Sequence, residues 1–270
     1  MKLPILDLEK KKAGEKDLPS QFSEAYRPDL IKRAVEALQN SARQAYGADP
    51  KAGMRSSSRL SKRRKNYRGS YGFGISRVNR KILSRRGTRF FWVGAFSPQT
   101  VGGRRAHAPK AEKNWEKSLN QKENQKAIRS AIAATINKSL VESRGHRVPA
   151  EYPFIISAKF EALTKTKELE NVLLALGFKD ELERSLIKTI RAGLGKLRGR
   201  KYKKKKGILL VVGGDCPALK AAKNIPGIDI VQVNALNVEL LAPGAHPGRV
   251  AVWTEKAIEV LGKENLFNQK

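Results

Sequence analysis

The sequence predicts an α/β fold, a parallel sheet covered by helices on both faces, and three observations carry that expectation. After Pro149, short apolar runs such as "GILLVVGG" (Gly207–Gly214) alternate with segments whose apolar residues recur every three or four positions. The apolar runs show little of the in-and-out alternation of a half-exposed strand, so both of their faces must be covered. At 270 residues and 40% hydrophobic composition, the chain is long enough to bury such a sheet.

The elements follow in order. Leu30, Ile31, Ala34, Val35 and Leu38 keep helical spacing after Pro28 and Asp29, a start signal, and that helix runs out near Tyr46 and Gly47. A second helix carries Ile128, Ile132, Thr135, Ile136 and Leu140 and ends before Gly145. "PFIIS" (Pro153–Ser157) reads as a buried strand. "TKTKELENVLLALG" (Thr164–Gly177) reads as a helix with Leu169, Val172, Leu173 and Leu176 on one face and Gly177 as its stop. "DELERSLIKTI" (Asp180–Ile190) is a further helix, and the Gly207–Gly214 run a strand. "CPALKAAKN" (Cys216–Asn224) is a helix and "GIDIVQV" (Gly227–Val233) a strand. "NVELLAP" gives a helical turn, "GRVAVW" (Gly248–Trp253) a strand, and "TEKAIEVLG" the last helix, with Thr254 as its N-cap.

One stretch fits none of this. The net charge is +30, and from Pro50 to Ala111 there are 17 Lys and Arg and no Asp or Glu. Arg191–Lys206, "RAGLGKLRGRKYKKKK", holds nine more cations and again no acid, which leaves only +4 for everything else. A nearly neutral body therefore carries two concentrated cationic segments, and a polyanion, nucleic acid first, is the expected partner. Ordering the backbone of residues 50–111 costs roughly 60 to 120 kcal/mol at 1 to 2 per residue, and their scattered apolar side chains make no core to offset it. A bound polyanion does so by neutralising cations and releasing counterions.

Residue type then selects candidate contacts. Arg55, Arg59, Lys62, Arg63, Arg64, Lys65, Arg68, Arg77, Arg80, Lys81, Arg85, Arg86 and Arg89 supply charge, and Tyr67, Tyr71 and Phe73 lie among them. This is the interleaving expected where bases stack on rings while cations hold the backbone. "RFFWVGAF" (Arg89–Phe96) fits either a small hairpin or base contact. In "GRRAHAPK", Arg104, Arg105, His107 and Lys110 adjoin Gly102 and Gly103, which let the backbone approach phosphates closely.

Catalytic chemistry finds little support. "VVGGDCPALKAAK" has glycines between a strand and a helix but neither the G-x-G-x-x-G spacing nor a G-K-[ST] ending, so a tight turn with Asp215 capping a helix accounts for it. His107, His146 and His246 are isolated, Cys216 is the single cysteine, and no metal-ligand cluster or cofactor site is expected. One cysteine fits a reducing compartment. "MKLPILDLEKKKAG" has too short an apolar run for a signal peptide, and no stretch approaches the ~20 apolar residues of a membrane span. The expectation is a cytosolic protein with no membrane partner.

"FSPQTVGGRRAHAPK" (Phe96–Lys110), "KAIRSAIAAT" (Lys126–Thr135), "FEALTKTKELENVLLALG" (Phe160–Gly177) and "NIPGIDIVQVNALNVELLAPGAHPGRVAVWTEKAIEVLG" (Asn224–Gly262) resemble the archaeal and eukaryotic branch of the ribosomal large-subunit protein four family. The likeness runs over nearly the whole chain. It implies a Rossmann-like, mostly parallel α/β body, a non-enzymatic structural role bound to large-subunit rRNA, and a long extended basic loop projecting from the body into that RNA. It further implies that the loop helps form the wall and constriction of the nascent-peptide exit tunnel beside another ribosomal protein's hairpin, with the nascent peptide passing its tip. The family's usual G-x-G-R tip reads "YGFGIS" here, with the arginine displaced to Arg77, and its usual "AHPP" reads "AHAP". On this reading residues 1–47 and 112–270 form the body and 48–111 the loop. Lys196, Arg198, Arg200, Lys201, Lys203, Lys204, Lys205 and Lys206, expected in a body loop before a strand, grip a separate rRNA segment. The rival is an RNA-modifying enzyme with a Rossmann-like domain and a basic arm; it requires a cofactor loop and an acidic ribose ligand, for which Asp229 lies in roughly the right region.

Overall fold

The computed structural model describes residues 1–66 and 69–268. The chain separates into two units, Met1–Ala42 with Glu116–Lys270, and Arg43–Trp115. In chain order the elements are β1 (Lys2–Leu6), β2 (Lys12–Asp17), α1 (Pro28–Ser41), β3 (Arg80–Arg86), β4 (Arg89–Gly94), α2 (Gln121–Ile136), α3 (Lys138–Ser143), β5 (Ile155–Ile156) and α4 (Thr166–Ala175). They continue with α5 (Lys179–Leu186), β6 (Lys188–Ile190), β7 (Tyr202–Lys204), β8 (Leu209–Val212), α6 (Ala218–Ala222), β9 (Asp229–Gln232), α7 (Val238–Leu241), β10 (Ala251–Thr254) and α8 (Glu255–Lys263).

The first unit is built on a six-stranded sheet in the order β2-β1-β5-β10-β8-β9. β2 is antiparallel to β1, and every other pairing is parallel. Alternate residues of each inner strand serve different cores, as a period of two requires. Ile5, Ile155, Leu209, Val211, Ala251 and Trp253 pack on one face with Ile31 and Val35 of α1, Ile128 and Ile132 of α2, and Ile258 and Leu261 of α8. Leu6, Ile156, Leu210 and Val252 pack on the other with Leu169 and Leu173 of α4, Leu182 of α5, and Ala218 and Ala222 of α6. Both faces are covered, so the mostly parallel α/β body expected from the sequence is the one found.

Several local expectations are corrected. The helix expected to run through Leu140 breaks at Asn137, whose φ/ψ of −75°/100° is extended, giving α2 and α3. "DELERSLIKTI" stays helical only to Leu186, after which β6 begins. Asp215 does not cap α6: the helix opens after Pro217, and no side chain caps it. The β1–β2 hairpin had no counterpart in the sequence reading, because β2 is "KAGEKD" and has no apolar period.

Thr254 does cap α8, accepting from the Ala257 N–H at 3.2 Å. Its hydroxyl also donates to buried Glu161 Oε1 at 2.6 Å, and the same oxygen accepts from the Gly213 N–H at 2.9 Å. One carboxylate thus joins the carboxyl ends of β8 and β10 to the start of α8. Thr254→Ala removes a cap worth ~1 kcal/mol and one partner of a buried carboxylate worth about as much again. Equilibrium denaturation should show a loss of about 2 kcal/mol, while Thr254→Ser retains most of the stability.

Candidate nucleic-acid interface

Within Arg43–Trp115 the outgoing and returning chains lie side by side. The Ala48 N–H donates to Pro109 O at 2.9 Å, and a methyl group placed on Gly47 would lie 3.0 Å from Ala111 Cα. Gly53, at φ +72°, meets Arg104 in the same way, with 2.6 Å between a built Cβ and Arg104 Cα. Only glycine tolerates both the left-handed backbone and that approach. Farther along, Arg59 bridges to Arg80, and β3 pairs antiparallel with β4. "RFFWVGAF" is therefore hairpin strand in its first part. Among the described residues of this unit, Ala95 is the one buried hydrophobic side chain.

With no apolar core, rings and cations pair instead. The Arg77 guanidinium lies 4.3 Å from the Tyr71 ring, Arg85 5.0 Å from Phe90, Arg89 5.3 Å from Phe91, and Arg104 5.9 Å from Phe96. Phe73 is 72% exposed. Lys62, Arg63, Arg64 and Lys65 stand exposed, and the Gly69 N–H donates to Asn66 O at 2.9 Å. Arg86 faces Arg89 across the hairpin end, and Lys81 is half-buried opposite Val93. Gly102 and Gly103 form a tight turn, with the Gly103 N–H on Thr100 O, and Arg105, His107 and Lys110 are exposed beyond it. Tyr67 and Arg68 lie outside the described residues. Arg55 pairs with Asp49, and among the described residues no other cation from Lys51 to Lys110 has a carboxylate partner.

A cluster at the ends of this unit escaped the sequence reading. Tyr46 stacks on Trp115 at 5.5 Å and 19°, with Arg43 and Lys113 4.0 and 4.3 Å from the Trp115 ring. Its only signal was two aromatics, each near a cation, flanking the acid-free stretch.

The second cationic segment belongs to the first unit and lies before β8, as expected; it is the connecting loop and returning strand of a two-stranded ribbon. β6 pairs antiparallel with β7, Lys188 opposite Lys204, Thr189 opposite Lys203 and Ile190 opposite Tyr202. Lys196, Arg198, Arg200, Lys201, Lys203, Lys204, Lys205 and Lys206 are all exposed. Facing lysines weaken a ribbon this short, so its position is set at the stem. Arg184 Nη2 donates to Lys206 O at 2.7 Å, and buried Arg249 donates from Nε to Gly207 O at 2.9 Å. Asp229 accepts from Arg249 Nη2 at 2.6 Å and pairs with Lys206 Nζ at 3.0 Å, which turns that one lysine toward the body.

Beneath the stem, Glu181 is fully buried, 2.6 Å from Arg184 Nη2 and 2.7 Å from His146 Nδ1, and it accepts the Arg147 N–H at 2.9 Å. Burial works against its charge, but Arg184, His146 and the Arg147 amide prevail and hold its carboxyl at about 2. Burial, with Arg184 and Arg144 nearby, outweighs the carboxylate at His146 and lowers its basicity.

These positions also dispose of a nucleotide site on the sheet. The Gly213 N–H, which a phosphate loop would present, is occupied by the Glu161 carboxylate. Asp229 begins β9, opposite Leu209 at the start of β8, whereas a ribose ligand belongs at the carboxyl end. Among the described residues no three His, Cys, Asp or Glu side chains are grouped to hold a metal ion, and no helix is long and apolar enough to cross a membrane.

Over residues 16–264 the chain matches the ribosomal protein L4/L1 family. It is 49% identical over 268 residues to the large ribosomal subunit protein uL4 of Nanoarchaeum equitans, covering 99% of this chain and 100% of that one. It is 47% identical to uL4 of Archaeoglobus fulgidus, covering 97% and 99% respectively, and 46% identical to that of Methanococcoides burtonii, covering 94% and 95%.

The stem network gives a measurable pH signature. A carboxylate whose folded pKa is depressed contributes stability above its unfolded value, and that contribution is lost as pH falls toward the folded one. Glu181 should therefore withdraw on the order of 3 kcal/mol between about pH 4.5 and 2. In thermal melts Glu181→Gln should start lower at pH 7 and lose less than wild type across that acid window.

Proposed function

The chain belongs to the ribosomal protein L4/L1 family, and from that premise we propose that it is a structural, non-enzymatic constituent of the large ribosomal subunit in the cytoplasm. Its partners are large-subunit rRNA and other large-subunit proteins. Residues 48–111 act as an extended loop that enters the rRNA and helps form the wall and constriction of the nascent-peptide exit tunnel, beside a tunnel-lining hairpin protein and the passing peptide. The basic ribbon of β6 and β7 holds a separate rRNA segment.

The observation that carries this reading is that residues 50–111 hold 17 cations and no carboxylate, while among the described ones only Arg55 has a carboxylate partner and only Ala95 is a buried hydrophobic residue. Net backbone hydrogen bonds of about 1 kcal/mol and exposed cation–π contacts of about 0.5 to 1 do not offset an ordering cost of about 1 to 2 kcal/mol per residue. Phosphate contacts supply the missing term, and each displaces condensed counterions.

The free full-length chain should therefore be cut by trypsin throughout Arg55–Arg105 while the body survives, and the same sites should be protected in the assembled subunit. Binding to an rRNA fragment should weaken steeply with salt, with a log–log slope of about −6 if eight cations meet single-stranded phosphates. A free chain resistant throughout, or a slope near zero, would overturn the reading.

A further inference from the structure

One groove of the second unit has a composition that phosphate contact alone does not explain. It encloses about 420 Å³ between the Ser57–Arg59 run and the β3–β4 hairpin, lined by Arg59, Arg80, Arg85, Ile82, Ser57 and Trp92. Its geometry comes from a bulge. Ile82 and Arg85 are an odd number of residues apart, so an uninterrupted strand would send them to opposite faces. The pairing of β3 with β4 slips between Ile82 and Ser84, leaving Leu83 unmatched. Ile82 then opposes Trp92 and Arg85 opposes Phe90, two positions apart on β4 and so on one face. Three arginines and one tryptophan share this lining. Arg80 is oriented by Ser76 Oγ at 3.1 Å, and among the described residues none of the three has a carboxylate partner.

We propose that this groove seats a single unpaired nucleotide of the bound RNA, its base against Trp92 and Ile82 and its phosphates against Arg59, Arg80 and Arg85. The inference rests on the rRNA-binding reading above and deepens it. Arginines alone would satisfy any polyanion, but the half-open indole, 38% exposed, offers a flat face that phosphate cannot use. The volume lies in the range that accepts a small organic ligand, about 300 to 1,000 Å³. A base within a duplex is stacked on both faces and cannot present itself to such a groove, so the nucleotide comes from a loop or bulge.

The test uses the full chain labelled with 5-fluorotryptophan, whose three fluorine lines come from Trp92, Trp115 and Trp253, the first identified by its loss in Trp92→Phe. Oligoadenylate should shift the Trp92 line, an abasic oligomer of equal length and charge should leave it in place, and the buried Trp253 line should report an intact body throughout. Trp92→Ala should weaken oligoadenylate binding about tenfold without changing retention of the abasic oligomer. Equal shifts with both oligomers would overturn the proposal by showing a groove that reads phosphate only. No Trp92 shift despite oligomer retention would overturn it while leaving rRNA binding standing. Failure to retain either oligomer at low salt would overturn both readings.

Discussion

Charge without compensation, in a segment that buries almost nothing, is the constraint from which the rest of this molecule follows. In the first unit carboxylates meet their cations inside the structure: Glu24 with Arg129, Glu181 with Arg184, Asp229 with Arg249. Between Pro50 and Ala111 no carboxylate exists to do this. The shape of that segment rests on backbone approach at Gly47 and Gly53, on the β3–β4 ladder, and on guanidiniums lying over rings. Each of these is worth about 1 kcal/mol or less at a solvent-exposed site. The backbone entropy of about sixty residues exceeds what such contacts return, which is the ground of the rRNA-binding proposal above.

The two cationic elements answer that constraint differently. The β6–β7 ribbon is short and carries opposed lysines, yet its stem sits on two of the most thoroughly bonded arginines in the chain. Arg249, 1% exposed, bonds to Gly207 O, Leu240 O and Asp229, and Arg184 bonds to Glu181 and Lys206 O. A buried arginine is tolerable only when its donors are occupied, and here the occupants are the backbone carbonyls where the ribbon leaves the sheet. The ribbon is thereby aimed by the core. Among the described residues of 43–115 only Ala95 is a buried hydrophobic side chain, and Phe73, Phe90, Phe91 and Trp92 are exposed.

What the sequence disclosed and what it hid divide along the range of the interactions involved. β8, β10, α4 and α8 were legible because buried runs, three-and-four spacing and the Thr254 cap are local signals. The acid-free tracts were legible because composition needs no geometry. β1 and β2 were not, since Pro4 interrupts one and the other is a charged edge strand whose register is set by its neighbour. Nor was the ribbon, because "LIKTI" continues an apolar helical pattern until Lys204 and Tyr202 arrive from 16 and 12 residues away to pair with it. In the candidate interface, individual cations were recognisable, but the Tyr46–Trp115 stack and the Leu83 bulge depend on partners brought together only by the returning chain.

The placement of Glu161 shows why this fold carries an interface and not a reaction. In open parallel sheets the carboxyl ends of the strands are where free backbone N–H groups and helix starts gather anions. Here a carboxylate from the chain itself occupies that position, accepting from the Gly213 amide and the Thr254 hydroxyl, with Lys256 Nζ 3.7 Å from its second oxygen. A phosphate arriving there would meet a like charge and a donor already engaged. The groups that could have bound a ligand instead tie β8, β10 and α8 into one piece. Stability thus occupies the site that catalysis would have used, and the concentrated positive charge lies elsewhere, in the ribbon segment and in residues 50–111.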